Sequence, residues 1–128
     1  MLAYVMVGTN NVKRSAKFYD AALAPLGLVR TSGDNSSLGY GPKNAPKKSS
    51  FYVTKPYNKK SATFGNGTMI SLAAKSRRAV EGFHAAALAN GGTDEGKPGP
   101  RPADGSNYVA YARDPDGNKI CAYCAKVK

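Results

Sequence analysis

An α+β fold of two successive β-α-β-β-β modules is what this sequence of 128 residues predicts, on three observations. Apolar strand-like runs and amphipathic helical stretches follow one another in the same order in each half. A shift of 65 residues lays Phe18, Ala21, Ala22, Leu23, Ala24 and Gly27 on Phe83, Ala86, Ala87, Leu88, Ala89 and Gly92. Six identities in ten positions mark the halves as copies of one unit. Near the end of the chain, Tyr108 to Ala112 and Ile120 to Tyr123 are β-favouring runs on either side of Asp114-Pro115-Asp116-Gly117-Asn118. Pro, Asp and Gly there occupy turn positions, so this stretch is a hairpin.

The elements follow in order. Leu2 to Gly8 alternates as a first strand with both faces apolar, and both are expected to be covered. Asn10 or Asn11 can cap a helix from about Val12 to Ala24, in which Val12, Ala16, Tyr19 and Leu23 recur at helical spacing. Pro25 ends it, and Gly27 suits the reversal. Leu28 to Thr31, Ser37 to Gly41 and Ser50 to Thr54 are short strands between Gly, Pro, Asn and Ser. Lys55 to Gly67 is polar and basic and reads as a connection. The modules then span about residues 1–56 and 66–128, within a single domain. Thr68 to Ala74 restarts the pattern as a strand. Ser76 caps a helix over Arg77 to Asn90, with Val80, Phe83, Ala87 and Leu88 on its buried side and Gly91-Gly92 closing it. The Gly- and Pro-rich stretch Thr93 to Asp104 leaves room for only a short, poorly formed strand before the hairpin.

A hydrophobic content of 41% in a chain of this length supports a core without disulfide staples. The apolar start has no basic region before it and polar residues follow at once, which predicts neither signal peptide nor membrane span. A cytoplasmic protein with reduced thiols is the expectation, and Cys121 and Cys124 should point to opposite sheet faces. The formal net charge is +11, and no acidic residue lies between Asp34 and Glu81, where Lys43, Lys47, Lys48, Lys55, Lys59, Lys60, Lys75, Arg77 and Arg78 fall. Such a block is a solvated basic face, or one that attracts nucleic acid or an acidic partner. Zinc-finger spacing, basic heptads and RNA-binding motifs are missing, which argues against a dedicated nucleic-acid binder.

Taken with the two modules, Arg14-Ser15-Ala16-Lys17-Phe18-Tyr19, Leu23-Ala24-Pro25-Leu26-Gly27, Phe83-His84-Ala85-Ala86-Ala87-Leu88 and Tyr111-Ala112-Arg113-Asp114-Pro115-Asp116-Gly117-Asn118 carry a resemblance over nearly the whole chain. The sequence resembles the glyoxalase/bleomycin-resistance/dioxygenase family, the vicinal-oxygen-chelate superfamily. The resemblance implies a curled mixed sheet around a central cavity, helices outside, and a homodimer. It also implies a divalent metal held by His, Gln or Glu on the strands, at positions matched here by Tyr4, Met69 and Cys121. The fourth position falls among Ser50, Phe51 and Tyr52, and no choice there supplies a carboxylate or imidazole.

The residues themselves point the same way. A hard cation needs several carboxylate, imidazole or carbonyl donors converging on it. His84 sits mid-helix, as a packing histidine would. The acids Asp20, Asp34, Glu81, Asp94, Glu95, Asp104, Asp114 and Asp116 fall in predicted helices, loops and turns. Cys121 has only Lys119 nearby to activate it, and a buried, inert thiol is expected. No metal, cofactor or catalytic residue is assigned. The leading expectation is a protein that encloses a small organic molecule, anionic in view of the charge, against Tyr4, Phe51, Tyr52, Met69, Tyr108, Tyr111, Cys121 and Tyr123. A lyase or dioxygenase with atypical site residues is the alternative, and a basic interaction protein a third.

Overall fold

A computed structural model describes residues 1–45, 48–103 and 105–125, so Lys47 of the basic block and Asp104 lie outside the described residues. The chain runs β1 (Val5–Gly8), α1 (Val12–Leu23), a 3-10 turn (Ala24–Leu26), β2 (Leu28–Gly33), β3 (Ser37–Pro42) and β4 (Phe51–Thr54). It then repeats as β5 (Met69–Ala73), α2 (Arg77–Ala89), β6 (Thr93–Arg101), β7 (Asn107–Arg113) and β8 (Lys119–Cys124). The strands form two sheets of order β1-β4-β3-β2 and β5-β8-β7-β6. In each sheet the first strand pairs parallel to the last, and the remaining pairs are antiparallel. Two β-α-β-β-β modules of an α+β fold are therefore present.

Local chemistry sets the helix ends. The Asn11 side chain accepts the Arg14 amide at 2.9 Å, and Ser76 accepts the Ala79 amide at 3.1 Å, each satisfying a free donor of the first turn. Pro25 sits inside the 3-10 turn, which closes on Gly27 at φ 77°, a left-handed conformation suited to glycine.

Strand alternation sends one face of each sheet to the helices. Val7, Phe51 and Val53 are buried from β1 and β4, and Ile120, Ala122 and Cys124 from β8. Between the sheets and the helices, Phe18, Tyr19, Leu23, Val80 and Phe83 are fully buried, and α1 and α2 pack side by side. Gly92 closes α2 against α1, because a Cβ there would lie 2.6 Å from the Phe18 ring and 2.8 Å from two backbone oxygens. Gly92→Ala is accordingly expected to cost about 1–3 kcal/mol through overpacking, measured by urea unfolding.

Four expectations need correction. Thr93–Arg101 is a nine-residue strand rather than a short remnant. As β6 it is an edge strand with register shifts at Asp94/Gly96 and Gly96/Gly99, where its prolines remove no hydrogen bond from a second neighbour. Asp94 and Glu95 consequently lie in a strand, not in a loop. Leu88 is 41% exposed, since it falls off the α2 stripe that Val80, Phe83 and Ala87 bury. Tyr4 and Met6 are more than half exposed, so only one face of β1 is covered by this chain.

The Asp-Pro-Asp-Gly-Asn turn does more than reverse the chain. Asp116 accepts the Thr9 hydroxyl at 2.7 Å, the Asn10 amide at 2.9 Å, Arg14 Nη2 at 2.8 Å and the Ser15 hydroxyl at 3.2 Å. Asn118 Nδ2 donates to the Gly8 carbonyl at 2.9 Å. Asp114 is buried and accepts the fully buried Tyr19 hydroxyl at 2.5 Å. A turn of the second module therefore caps the β1–α1 junction of the first and reaches into its core.

Candidate functional site

The face of each sheet turned away from the helices is the open one. Tyr4 precedes β1 there, with its ring edge-on to Tyr52 at 5.1 Å. Opposite, Met69 begins β5. A hollow of about 380 Å³ runs between the two first strands and is lined by Leu2, Tyr4, Ser50, Met69, Ser71 and their neighbours. Tyr4 and Met69 are thus brought onto one cavity.

Strand pairing fixes the remaining positions. Met6 pairs with Tyr52 and Ser71 pairs with Cys121, and Met6 and Ser71 are themselves related by the 65-residue shift. Tyr52 therefore holds in the first sheet the place that Cys121 holds in the second. Cys121 is buried beside Ser71 and opposite Tyr111, and Lys119 lies 5.3 Å from the Tyr111 ring. Tyr123, 38% exposed, is two residues further along the same face. Phe51 and Tyr108 do not join them. Phe51 points into the helix layer, 5.2 Å from the Tyr19 ring, and Tyr108 donates to Glu81 of α2 at 2.8 Å. A period of two from Phe51 and from Tyr108 leads to the core residues Val53 and Ala110, which is the signal that separates them from the open face. The same count from Tyr4, Met69 and Cys121 finds Met6, Ser71 and Lys119, which composition alone did not single out.

The donor set is two phenols, a thioether and a thiol. Burial pushes the Cys121 thiol up, and a hydrogen bond with Ser71 and the charge of Lys119 only oppose that shift. It therefore stays protonated at neutral pH and is neither a good nucleophile nor a good ligand. Among the described residues, no group of three or more His, Cys, Asp or Glu gathers to hold a metal ion. His84 is buried on α2, with Nε2 2.8 Å from Asp94, whose pKa the imidazole lowers. These side chains do not fit the hard divalent cation that the resemblance implies.

The family model for the Glyoxalase/Bleomycin resistance protein/Dioxygenase superfamily matches residues 1–122. The chain belongs to this superfamily. Among solved structures it is similar to a glyoxalase/bleomycin resistance protein from Albidiferax ferrireducens T118, at 44% identity and TM-score 0.85, over 97% of this chain and 98% of that one. A glyoxalase/bleomycin resistance protein/dioxygenase family enzyme from Burkholderia phytofirmans PsJN shares the fold at 17% identity and TM-score 0.71, over 96% and 97% of the two chains. The E144Q mutant of glyoxalase I from Zea mays shares it at 23% identity and TM-score 0.64, with 94% of this chain covering 45% of that one. No curated protein matches the chain. Among the described residues, no helix is long and apolar enough to cross a membrane.

Proposed function

We propose that this member of the superfamily binds a small organic molecule without a metal, holding an aromatic, anionic ligand on the open face between β1 and β5. One observation carries the reading. Tyr4, Met69 and Cys121, at positions the resemblance matches to metal ligands, and Tyr52, which pairs with Met6 as Cys121 pairs with Ser71, include no carboxylate or imidazole, and Tyr4, Tyr52 and Met69 present aromatic and soft apolar surface. Tyrosine rings with polar tips suit a flat ligand, with Ser50 and Ser71 offering hydroxyls at the hollow and Lys119 a cation beside it. The exposed Leu2, Met6 and Met69 also suit a homodimer that covers the face in the cytoplasm.

The test combines two measurements on freshly purified protein. Native mass spectrometry with elemental analysis is expected to find no stoichiometric metal and to report oligomer and bound molecule together. Anilinonaphthalene sulfonate, an aromatic anion, is expected to bind and to lose about tenfold in affinity on Tyr4→Ala or Tyr52→Ala. Stoichiometric zinc, nickel, manganese or iron that disappears on changing Tyr4, Met69 or Cys121 would sink the proposal.

A further inference from the structure

We propose a second binding site in this chain, for a nucleotide unit, in the basic cleft where the connection between the modules folds back on the first one. The cleft measures about 640 Å³ and is lined by the end of β4, the β1–α1 junction and the segment from Lys55 to Ser61. It is separate from the hollow between β1 and β5, and it shares no lining residue with it.

Lys55, Lys59 and Lys60 all line this cleft, and no acidic side chain does. Among the described residues none of the three lysines is in a salt bridge. Asp116 and Asp34, on the segments adjoining the cleft, are already engaged. Asp116, whose side chain is 2% exposed, is filled by Thr9, Asn10, Arg14 and Ser15. Asp34 lines the adjoining hollow with Lys13, Arg30 and Lys55, and its Oδ1 accepts the Ser36 and Ser37 amides. The field in the cleft is therefore positive, and a phosphate meets three unspent ammonium groups.

An aromatic ring lines the same cleft as those charges. Tyr57 lies in the same lining and is 102% exposed, so no intramolecular packing accounts for it. Its turn is held firmly: the Lys59 amide donates to the Pro56 carbonyl at 3.0 Å with Lys59 at φ 63°, and the Lys60 amide donates to Asn58 Oδ1 at 3.0 Å. Ala62 is clamped to Asn10 by two hydrogen bonds of 2.7 and 3.3 Å. It lies so close to Gly8 that a Cβ there would come within 2.9 Å of it. The connection is thus a fixed ledge rather than a loose tether. A presented phenol ring beside a row of lysines is the pairing that takes a stacked base and its phosphate. A purely anionic partner such as an acidic peptide would use the lysines and leave the ring idle.

Fluorescence anisotropy with a labelled twelve-residue oligothymidylate, titrated between 50 and 200 mM salt, tests the site, with circular dichroism confirming that each variant folds. Lys55→Ser/Lys59→Ser/Lys60→Ser is expected to flatten the log–log salt slope by about 2, at roughly 0.7 per lost phosphate contact on a single strand. Tyr57→Ala is expected to lower affinity about tenfold with the slope unchanged, because stacking is not ionic. A charge-matched control, Lys17→Ser/Lys75→Ser/Lys97→Ser, alters exposed lysines elsewhere and is expected to retain most of the slope. Displacement of the oligonucleotide by ADP assigns the site to free nucleotides, and displacement by unlabelled oligonucleotide alone assigns it to single strands. No binding at 50 mM salt, an unaltered affinity in Tyr57→Ala, or a control as impaired as the cleft variant would each overturn the proposal.

Discussion

Asp114→Ala is expected to lower the stability of the folded protein at pH 7 by about 3 kcal/mol or more, because it takes the acceptor away from three buried donors and one half-buried one at once. Asp114 Oδ2 accepts the Tyr19 hydroxyl at 2.5 Å and Asn118 Nδ2 at 2.8 Å, and Oδ1 accepts the amides of Asp116 and Asn118 at 2.9 Å. Tyr19 is fully buried under the first sheet, so water cannot replace the lost acceptor. The turn loses its internal support as well, and with it the position from which Asp116 caps Thr9, Asn10 and Ser15. Burial raises the Asp114 pKa, and the hydrogen bonds from Tyr19, Asn118 and the backbone only partly counter it. A raised carboxyl binds its proton more readily folded than unfolded, so acidification through that pKa relieves strain on Asp114 and does not drive acid unfolding there. Asp114→Asn, which keeps the Oδ1 acceptor, is expected to lose less than Asp114→Ala. Urea unfolding of the two variants measures this, and an Ala variant within about 1 kcal/mol of the natural protein would refute the role given to the turn.

Why the architecture was legible and the site less so follows from the period of each signal. Caps at Asn11 and Ser76, the stop at Pro25 and Gly27, and the Asp-Pro-Asp-Gly-Asn turn are local rules, and the structure obeys them. The long β6 was hidden because Gly and Pro discourage strands on average, whereas an edge strand with bulges tolerates both. Facing was the harder question. Phe51 and Tyr108 look like Tyr52 and Tyr111 by composition, and only the pairing Met6↔Tyr52 and Tyr111↔Cys121 separates the open face from the helix layer. The exposed side of β1 was misread because Tyr4 and Met6 are apolar, although apolarity alone does not say that the same chain covers a residue. Asp114 and Asp116 read as turn formers, and their second role, joining two modules about a hundred positions apart, is tertiary and leaves no trace in local spacing.

Raising the pH above 10 is expected to weaken the folded protein through Tyr19, at about 1.4 kcal/mol per pH unit from that residue alone. Burial raises the Tyr19 pKa well above its ordinary value, and the Asp114 carboxylate beside the hydroxyl raises it further. In the unfolded chain the phenol ionises near 10; in the folded protein it keeps its proton. The unfolded state then binds one proton fewer, so stability is fully present below about pH 10 and falls as the pH climbs toward the folded pKa. Tyr40 acts in the same direction, since burial and its hydrogen bond to Asp20 also raise it. Its hydroxyl end reaches the exposed pair of Asp20 and Arg30, where solvent screening reduces the effect. Lysines and the other tyrosines also titrate in this range, so the readout is the difference between the natural protein and Tyr19→Phe. At pH 7 the variant is expected to be less stable by about 1–3 kcal/mol, having stripped the buried Asp114 of a donor. That gap should narrow steadily, and can reverse, as the pH climbs past 10, because phenylalanine has no proton to release. Stability curves that stay parallel over this range would mean that Tyr19 ionises as easily folded as unfolded, and that its hydroxyl is not held by Asp114 in the core.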